Sequence, residues 1–459
     1  MMRAFPALGL SLPRWRAASL RIPAVAPWLG AITLLALALR LVWVFYTNTL
    51  PLGGDPHWYY VVGSNLAHGH GFVAQPNQIF GEIPGPGKPT AFWPPGYPFA
   101  LAALFKLTGT GFTPAQIMNA VLGALTVPFV YALGKSIFDQ RAGLLAAGIF
   151  AVFPNVIAGM PLLFPEPLFT LIFFAALLLL TVRPSERPWL AYAGFGTLAG
   201  LACLTRGQGV VLFPVAVTYW LARDGWRPAL RSTALALLAA VLLIAPWTLR
   251  NAVEMHAFIP ISTNSGAALR VGHGPESIGT TKWTHDKIDG YDMQQSMTSP
   301  EREVKAYRAY TRLAIDYALT HPSRELELTK LKLWNLYRSD AEIIPWITTL
   351  GTTPLRPDGL DDALWRVFDV AYYTLFLAAV VSLPLWVRRK PERVLLASVF
   401  VFWTLFHVAF LAEPRYHVPL FPAFAIAVAG GAWIAFDNAR SALRRRTDAA
   451  VPHETSLPT

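Results

Sequence analysis

The sequence predicts an all-α polytopic membrane protein, with about ten transmembrane helices, further helices in the outer interface and a large extracytoplasmic loop. Three observations carry that reading. The chain is 54% hydrophobic and only 14% charged, against about 25% charged in an ordinary soluble protein. Apolar runs recur along almost the whole of its 459 residues, as repeated bilayer crossings require. Phe, Trp and Tyr reach 13%, and many stand at the ends of those runs, where an aromatic belt meets the membrane surface. The net charge of +11 would suit a nucleic-acid binder in a soluble chain. Here it is read as basic cytoplasmic loops facing anionic headgroups, so membrane lipids are partners and nucleic acid is not.

Residues 1–28 form a basic N-terminal segment. The apolar run after it lacks a small-x-small cleavage site, so it reads as a retained signal anchor. Ten segments can span: roughly 29–48, 114–134, 142–160, 166–182, 189–205, 209–222, 232–249, 367–387, 394–411 and 416–436. They divide the chain into a transmembrane module 29–249 with a first outer loop 49–113, an extracytoplasmic region 250–366, C-terminal spans 367–436 and a cytoplasmic tail 437–459. The one cysteine, Cys203, lies in an apolar run, so no intrachain disulfide forms.

The stretch "PPGYPFALAALFKLTG", Pro94–Gly109, decides the topology. If it does not cross, the N-terminal arginines, Lys135, Arg141, Arg183, Arg187, Arg223, Arg227, Arg231, "RRKPER" and "RSALRRR" all face the cytoplasm. If it crosses, the later loops invert, against the positive-inside rule. It is therefore expected to lie in the outer interface, with both termini inside. Asp55, Lys88, Glu166, Arg206, Arg250 and Arg415 then share the outer side, each near a helix end. In region 250–366, Gly272–Thr298 reads as a polar loop, and Ser299 with Pro300 and Glu301 marks the start of a helical run.

Asp55 follows Gly53–Gly54 just beyond the first span, and Glu166 opens the fourth between Pro165 and Pro167. A carboxylate at a membrane boundary is costly unless something uses it. The plainer alternatives are a turn residue for Asp55 and a dipole-favoured N-terminal acid for Glu166. The cations at helix ends have a plain alternative too, which is snorkelling to the interface. Arg40 lies inside the first span; it should turn inward to an acid, a carbonyl or a cavity, and reads as structural.

These residues carry a resemblance. An Asp after the first span ("GGDPHWYYVVGSNLAHGHGF") is followed by Lys-Pro before an aromatic stretch ("GKPTAFWPPGYPFA"). Then come a basic turn ("FDQRAGLLAAGIFAVFP"), an acid opening a span ("PEPLF"), a basic-Gly turn ("LTRGQGVVLFP") and "EPRYHVPLFP". Their order and common sidedness resemble the GT-C membrane glycosyltransferases of the family 39 type. That group includes the protein O-mannosyltransferases and the lipid A aminoarabinose transferase. The resemblance implies a GT-C fold, a polyprenyl-phosphate-linked sugar donor, an acceptor on the outer face, and Asp55 as general base. Some relatives carry a second acid next to the first; here Pro56 stands there, and Glu82 or Glu166 could cover that role.

Such chemistry needs one base to take the acceptor's proton, inversion following because a carboxylate nucleophile would give retention. It also needs fixed cations for the leaving lipid phosphate. Lys88 ranks first, with Arg206 and Arg415 behind it, and His57, Tyr97, Arg250 and Tyr416 are possible supporting residues. His68 and His70 are poorly spaced as ligands, so no metal is assigned and a divalent ion is not favoured as cofactor. The rivals are a flippase of lipid-linked sugars and a non-catalytic envelope scaffold. No inverted repeat supports the first, and the second has no need of acids gathered on one side. The expected location is a bacterial inner membrane with the site on the extracytoplasmic side. Sugar and acceptor stay open.

Overall fold

The structure is a computed structural model that describes residues 25–50, 53–74, 87–182, 187–281, 299–339, 341–349, 359–387 and 390–450. Its transmembrane part begins with α1 (Ala26–Thr47), opened by Pro27 in its first turn. Between α1 and the next long helix come α2 (Gly54–Ala67), a two-stranded antiparallel pair β1 (Val73–Ala74) and β2 (Lys88–Pro89), and α3 (Gly96–Thr108). Next are α4 (Phe112–Ile137), α5 (Gln140–Val152), the short α6 (Pro154–Ala158), α7 (Glu166–Thr181), α8 (Pro188–Thr205), α9 (Leu212–Asp224) and α10 (Trp226–Glu254). The region that follows holds α11 (Asn264–Gly272), α12 (Pro300–Thr320), α13 (Pro322–Tyr337) and α14 (Ile343–Thr349). The chain closes with α15 (Leu360–Trp386), α16 (Pro391–Ala409), a 3₁₀ turn Pro414–Leu420 and α17 (Phe421–Ala450).

Six of these stretches are long and apolar enough to cross a membrane: α1, α4, α10, α15, α16 and the run Pro414–Arg445. The other four expected segments are helical but shorter or broken. Pro154 divides 142–160 into α5 and α6, α7 has 16 residues, α8 has 18, and 209–222 is a 3₁₀ turn followed by the 13-residue α9. Helix α3 has 13 residues. At 1.5 Å per residue that covers about 20 Å, short of the roughly 30 Å hydrocarbon core.

Helix α4 packs against α1, α5 and α7; α17 packs on α5 and α15, and α10 on α8 and α9. Their shared core is built from Phe169, Phe173, Trp220, Tyr372, Trp403 and Phe424 among others. Arg40 is wholly buried in α1. It donates to the carbonyls of Ala36 and Ala151, both at 2.9 Å, so it serves the C-terminal end of α5 as the sequence reading expects. Gly123 of α4 is small for this reason: a methyl group there would lie 2.9 Å from Arg40 Nε.

Polar side chains near the N-terminal end of α4 fix the loops that carry the acids. Gln116 donates to Thr49 O (2.7 Å) and Pro161 O (2.8 Å), and Asn119 donates to Leu162 O (2.9 Å). The expected helical run from Ser299 is two helices, broken at His321–Pro322, where proline cannot continue the ladder. Ser299 caps α12, accepting from Arg302 N at 3.3 Å. Residues 282–298 of the expected loop Gly272–Thr298 lie outside the described residues.

Candidate active site

The Gly53–Gly54 pair places Asp55. Gly54 has φ +66°, a left-handed conformation that glycine adopts at no steric cost. Asp55 then falls in the first turn of α2. That helix is not laid openly on an interface, because Gly54–Tyr59, Val62 and Gly63 are buried, largely against α3. Asp55 itself is 6% exposed.

Its partner is Arg415, from the 3₁₀ turn before α17. Both Arg415 Nη1 and Nη2 donate to Asp55 Oδ2 at 3.3 Å, while Nε donates to Glu413 Oε2 at 2.8 Å. The guanidinium lies over the rings of Phe164 (5.2 Å), Trp346 (5.4 Å) and Tyr416 (5.4 Å). A planar fork with stacked rings is a role that Arg fills and Lys does not. Thr281 donates its hydroxyl to Glu413 Oε1. Beside this group Arg206 Nη1 pairs with Glu166 Oε1 at 2.5 Å, donates from Nε to Gln208 Oε1 at 3.2 Å, and shares the Tyr416 ring. The "RGQG" turn can tuck under α8 because a methyl group at Gly209 would meet Cys203 N at 2.4 Å.

Burial raises the Asp55 carboxyl above its ordinary pKa. Arg415 pulls it down, by charge and by hydrogen bond, and Glu413 and Glu166 push it up. Desolvation is the largest of these effects, and Arg415 is the group that favours the charge. Three acids and two arginines thus stand together, and the sequence reading missed one of them. Glu413 sits in the quoted "EPRYHVPLFP", two residues before Arg415, and that i, i+2 acid–base spacing was the available signal.

Two cavities meet at Phe164 and Arg415. One, of about 440 Å³, is lined by Asp55, Tyr59, Trp93, Arg206, His407 and Tyr416 among others. The second, of about 340 Å³, takes Glu166, Glu413, Arg338, Glu342 and Trp346 in its wall. A third hollow, an open apolar groove of about 680 Å³, runs between the segment that joins α2 to α3, α3 itself, α8 and α10. Phe99, Leu204, Leu243 and Trp247 line it, and Pro94–Gly96 with Leu204–Arg206 divide it from the Asp55 cavity.

Of the remaining candidates, Tyr416 joins the assembly. Lys88 does not: it is exposed on β2, and its charge acts on exposed Glu301, whereas Asp55 answers to Arg415, Glu413 and Glu166. Its neighbour Pro89 lines the apolar groove. Arg250 donates to Thr90 O (2.7 Å) and Phe72 O (2.8 Å), tying down the loop before α3. Tyr97 is buried and donates to Asn119 Oδ1 at 3.0 Å. His57 is buried and stacks with Tyr60, centroids 6.4 Å apart. Glu82 lies outside the described residues. Buried Glu303, also unforeseen, accepts from Thr90 and Thr263 hydroxyls (both 2.7 Å) and Ala91 N (2.9 Å), clamping α12 to that loop. Among the described residues no three His, Cys, Asp or Glu side chains converge as a cation site would require. The acids here are each matched to an arginine, so the donor set does not fit a divalent ion.

This architecture is the GT-C glycosyltransferase fold, carried by an integral membrane protein, and the resemblance read from the sequence is borne out. The crystal structure of the Archaeoglobus fulgidus oligosaccharyltransferase superimposes with a TM-score of 0.56 at 16% identity, over 95% of this chain and 53% of that one. The same enzyme in complex with an inhibitory peptide and a dolichol-phosphate gives 0.55, over 94% and 52%. Residues 93–249 match the family described as dolichyl-phosphate-mannose-protein mannosyltransferase. The undecaprenyl phosphate-alpha-4-amino-4-deoxy-L-arabinose arabinosyl transferase of Pseudomonas aeruginosa is 34% identical over 141 residues, 29% of this chain and 26% of that enzyme. The chain thus covers about a quarter of that curated relative and half of the archaeal enzyme.

Proposed function

We propose that the protein is an inverting glycosyltransferase. It takes a sugar from a polyprenyl-phosphate carrier and places it on an acceptor hydroxyl or phosphate at the extracytoplasmic face of a bacterial inner membrane. The observation that carries this reading is the buried Asp55–Arg415–Glu413 group at the wall between two cavities. For a hydroxyl acceptor, its oxygen attacks the anomeric carbon as Asp55 takes its proton. The carbon–oxygen bond to the carrier breaks, and its electron pair leaves with the lipid phosphate. Arg206 Nη2 has no hydrogen-bond partner among the described residues, so Arg206 can donate to that phosphate beside Arg415. The names of the two relatives support the donor class: one uses an undecaprenyl phosphate sugar and the other was solved with a dolichol-phosphate. A transporter would hold its charges near the bilayer midplane; Arg40, deep in α1, instead gives its Nη atoms to carbonyls.

The test is transfer by purified protein offered a panel of polyprenyl-phosphate sugars and acceptors. Absence of transfer from every carrier-linked sugar rejects the reading. The sequence favoured Lys88 for the phosphate, whereas the structure favours Arg206 with Arg415. Lys88→Ala is therefore expected to change carrier affinity less than about twofold, and Arg206→Met to weaken it about tenfold, as loss of one charge-assisted hydrogen bond would. A large loss in Lys88→Ala alone moves the phosphate to the rim of the apolar groove. Ten crossings with both termini cytoplasmic put these residues on one side. A reporter fused after Lys106 of α3 is expected to read as extracytoplasmic, and a cytoplasmic readout overturns that topology.

A further inference from the structure

The cavity behind Arg415 holds hydrogen-bonding capacity that the proposed reaction leaves unused. Three buried atoms in its wall have no partner among the described residues: Glu166 Oε2, Asn155 Oδ1 and Arg338 Nε. Each belongs to a side chain held by its other arm. Glu166 Oε1 pairs with Arg206, Asn155 Nδ2 donates to Phe368 O at 3.3 Å, and Arg338 Nη2 donates to Glu342 Oε1 at 2.6 Å. Glu166 is 8% exposed and Asn155 3%. Buried polar atoms are normally satisfied, and an orphan needs a reason. Three orphans from α6, α7 and the end of α13, on residues that line one cavity, ask for one ligand.

The chemistry of the set narrows that ligand. Two acceptors need two donors, and the donor needs an acceptor. A phosphate offers no donor when ionised and meets Glu166, Glu342 and Glu413 in the same wall. An apolar chain satisfies none of the three. A ring that carries several hydroxyls satisfies all of them, since each hydroxyl both donates and accepts. The remaining wall, with Phe164, Trp346, Met160 and Val418, suits the apolar face of such a ring.

We propose that this cavity is a saccharide-binding site, in which Glu166 Oε2 and Asn155 Oδ1 accept from ring hydroxyls and Arg338 Nε donates to one. The proposal rests on the glycosyltransferase reading and deepens it. The ring can come from the carrier-linked donor or from a saccharide acceptor, which share this chemistry. Either lies one wall, Phe164 with Arg415, away from Asp55.

The test uses the full chain in nanodiscs. Calorimetry measures affinity for bare polyprenyl phosphate, for polyprenyl-phosphate-mannose, -glucose and -4-amino-4-deoxyarabinose, and for the methyl glycosides of the same sugars. The variants are Asn155→Leu and, at a more exposed position, Arg338→Met. Each is expected to weaken the saccharide ligand at least tenfold while bare carrier changes less than twofold, the latter also reporting an intact fold. A loss confined to the carrier-linked sugar assigns the cavity to the donor; a loss for a methyl glycoside assigns it to the acceptor. Unchanged saccharide affinity in folded variants, or no gain from a sugar in wild type, overturns the site. Failure of the wild type to bind any carrier or to transfer any sugar rejects the glycosyltransferase reading instead.

Discussion

Asp55→Asn protein is expected to transfer sugar at least about 100-fold more slowly than wild type, with carrier affinity close to unchanged. The substitution keeps the shape of the side chain and one oxygen for Arg415, so the packing of α2 against α3 survives. What it removes is, among the described residues, the only carboxylate lining the Asp55 cavity beside the arginines. On the proposed reading the carrier phosphate rests on Arg206 and Arg415, so its binding has no direct need of the Asp55 charge. A variant that turns over at near the normal rate transfers the role of base to Glu166.

The pH profile supplies a second readout. Burial sets the Asp55 carboxyl above its ordinary pKa of 3.8, so the folded protein holds a proton there that the unfolded chain has released. The contribution to stability is therefore fully present below pH 3.8 and is lost as pH rises through the folded-state pKa. Activity runs the other way, because a base must be ionised: kcat/KM should climb through the same interval. In Asp55→Asn the residual rate should lose that acidic limb. Retention of the limb in the variant would assign the titration to another group.

Much of the fold was legible because hydropathy and length report directly on bilayer crossing. The ten expected segments all fall on helices, and within Pro94–Gly109 lies the 13-residue α3. The number of crossings is less legible, because α7, α8 and α9 are short and their ends run into turns that proline and glycine set. The site was readable where position along the chain implies the environment. Asp55, Glu166, Arg206 and Arg415 were all named from their places at helix ends. It was not readable where tertiary pairing decides. Sequence spacing cannot show that residues 360 positions apart form an ion pair, and so Lys88, fixed between turns, outranked Arg415. Glu413 was overlooked because an acid beside an arginine in sequence reads as a local surface pair. Only the fold shows that both are buried. Arg250 and Tyr97 looked functional by location and proved to hold backbone and Asn119.

Arg415→Met is expected to damage both stability and turnover, more severely than any other single change in the assembly. The guanidinium holds two buried carboxylates, Asp55 on its Nη atoms and Glu413 on Nε. Removing one partner of a buried ion pair leaves an uncompensated charge and typically costs 3–5 kcal/mol. Here two acids are stranded, with Glu166 adding to the field on Asp55. The protein can relieve this by protonating Asp55, since the group that pulls its pKa down is gone. Whatever activity remains should then appear at higher pH than in wild type, alongside weaker carrier binding. Arg415→Lys separates charge from geometry: it restores one positive centre but cannot fork between Asp55 and Glu413 while lying flat on Phe164, Trp346 and Tyr416. It should recover most of the stability and little of the rate. Thermal unfolding in nanodiscs and the pH dependence of transfer measure the two effects separately. An Arg415→Met protein of wild-type stability, with an unshifted pH profile, would mean that Asp55 does not depend on this arginine, and the assembly proposed as the catalytic centre would be wrong.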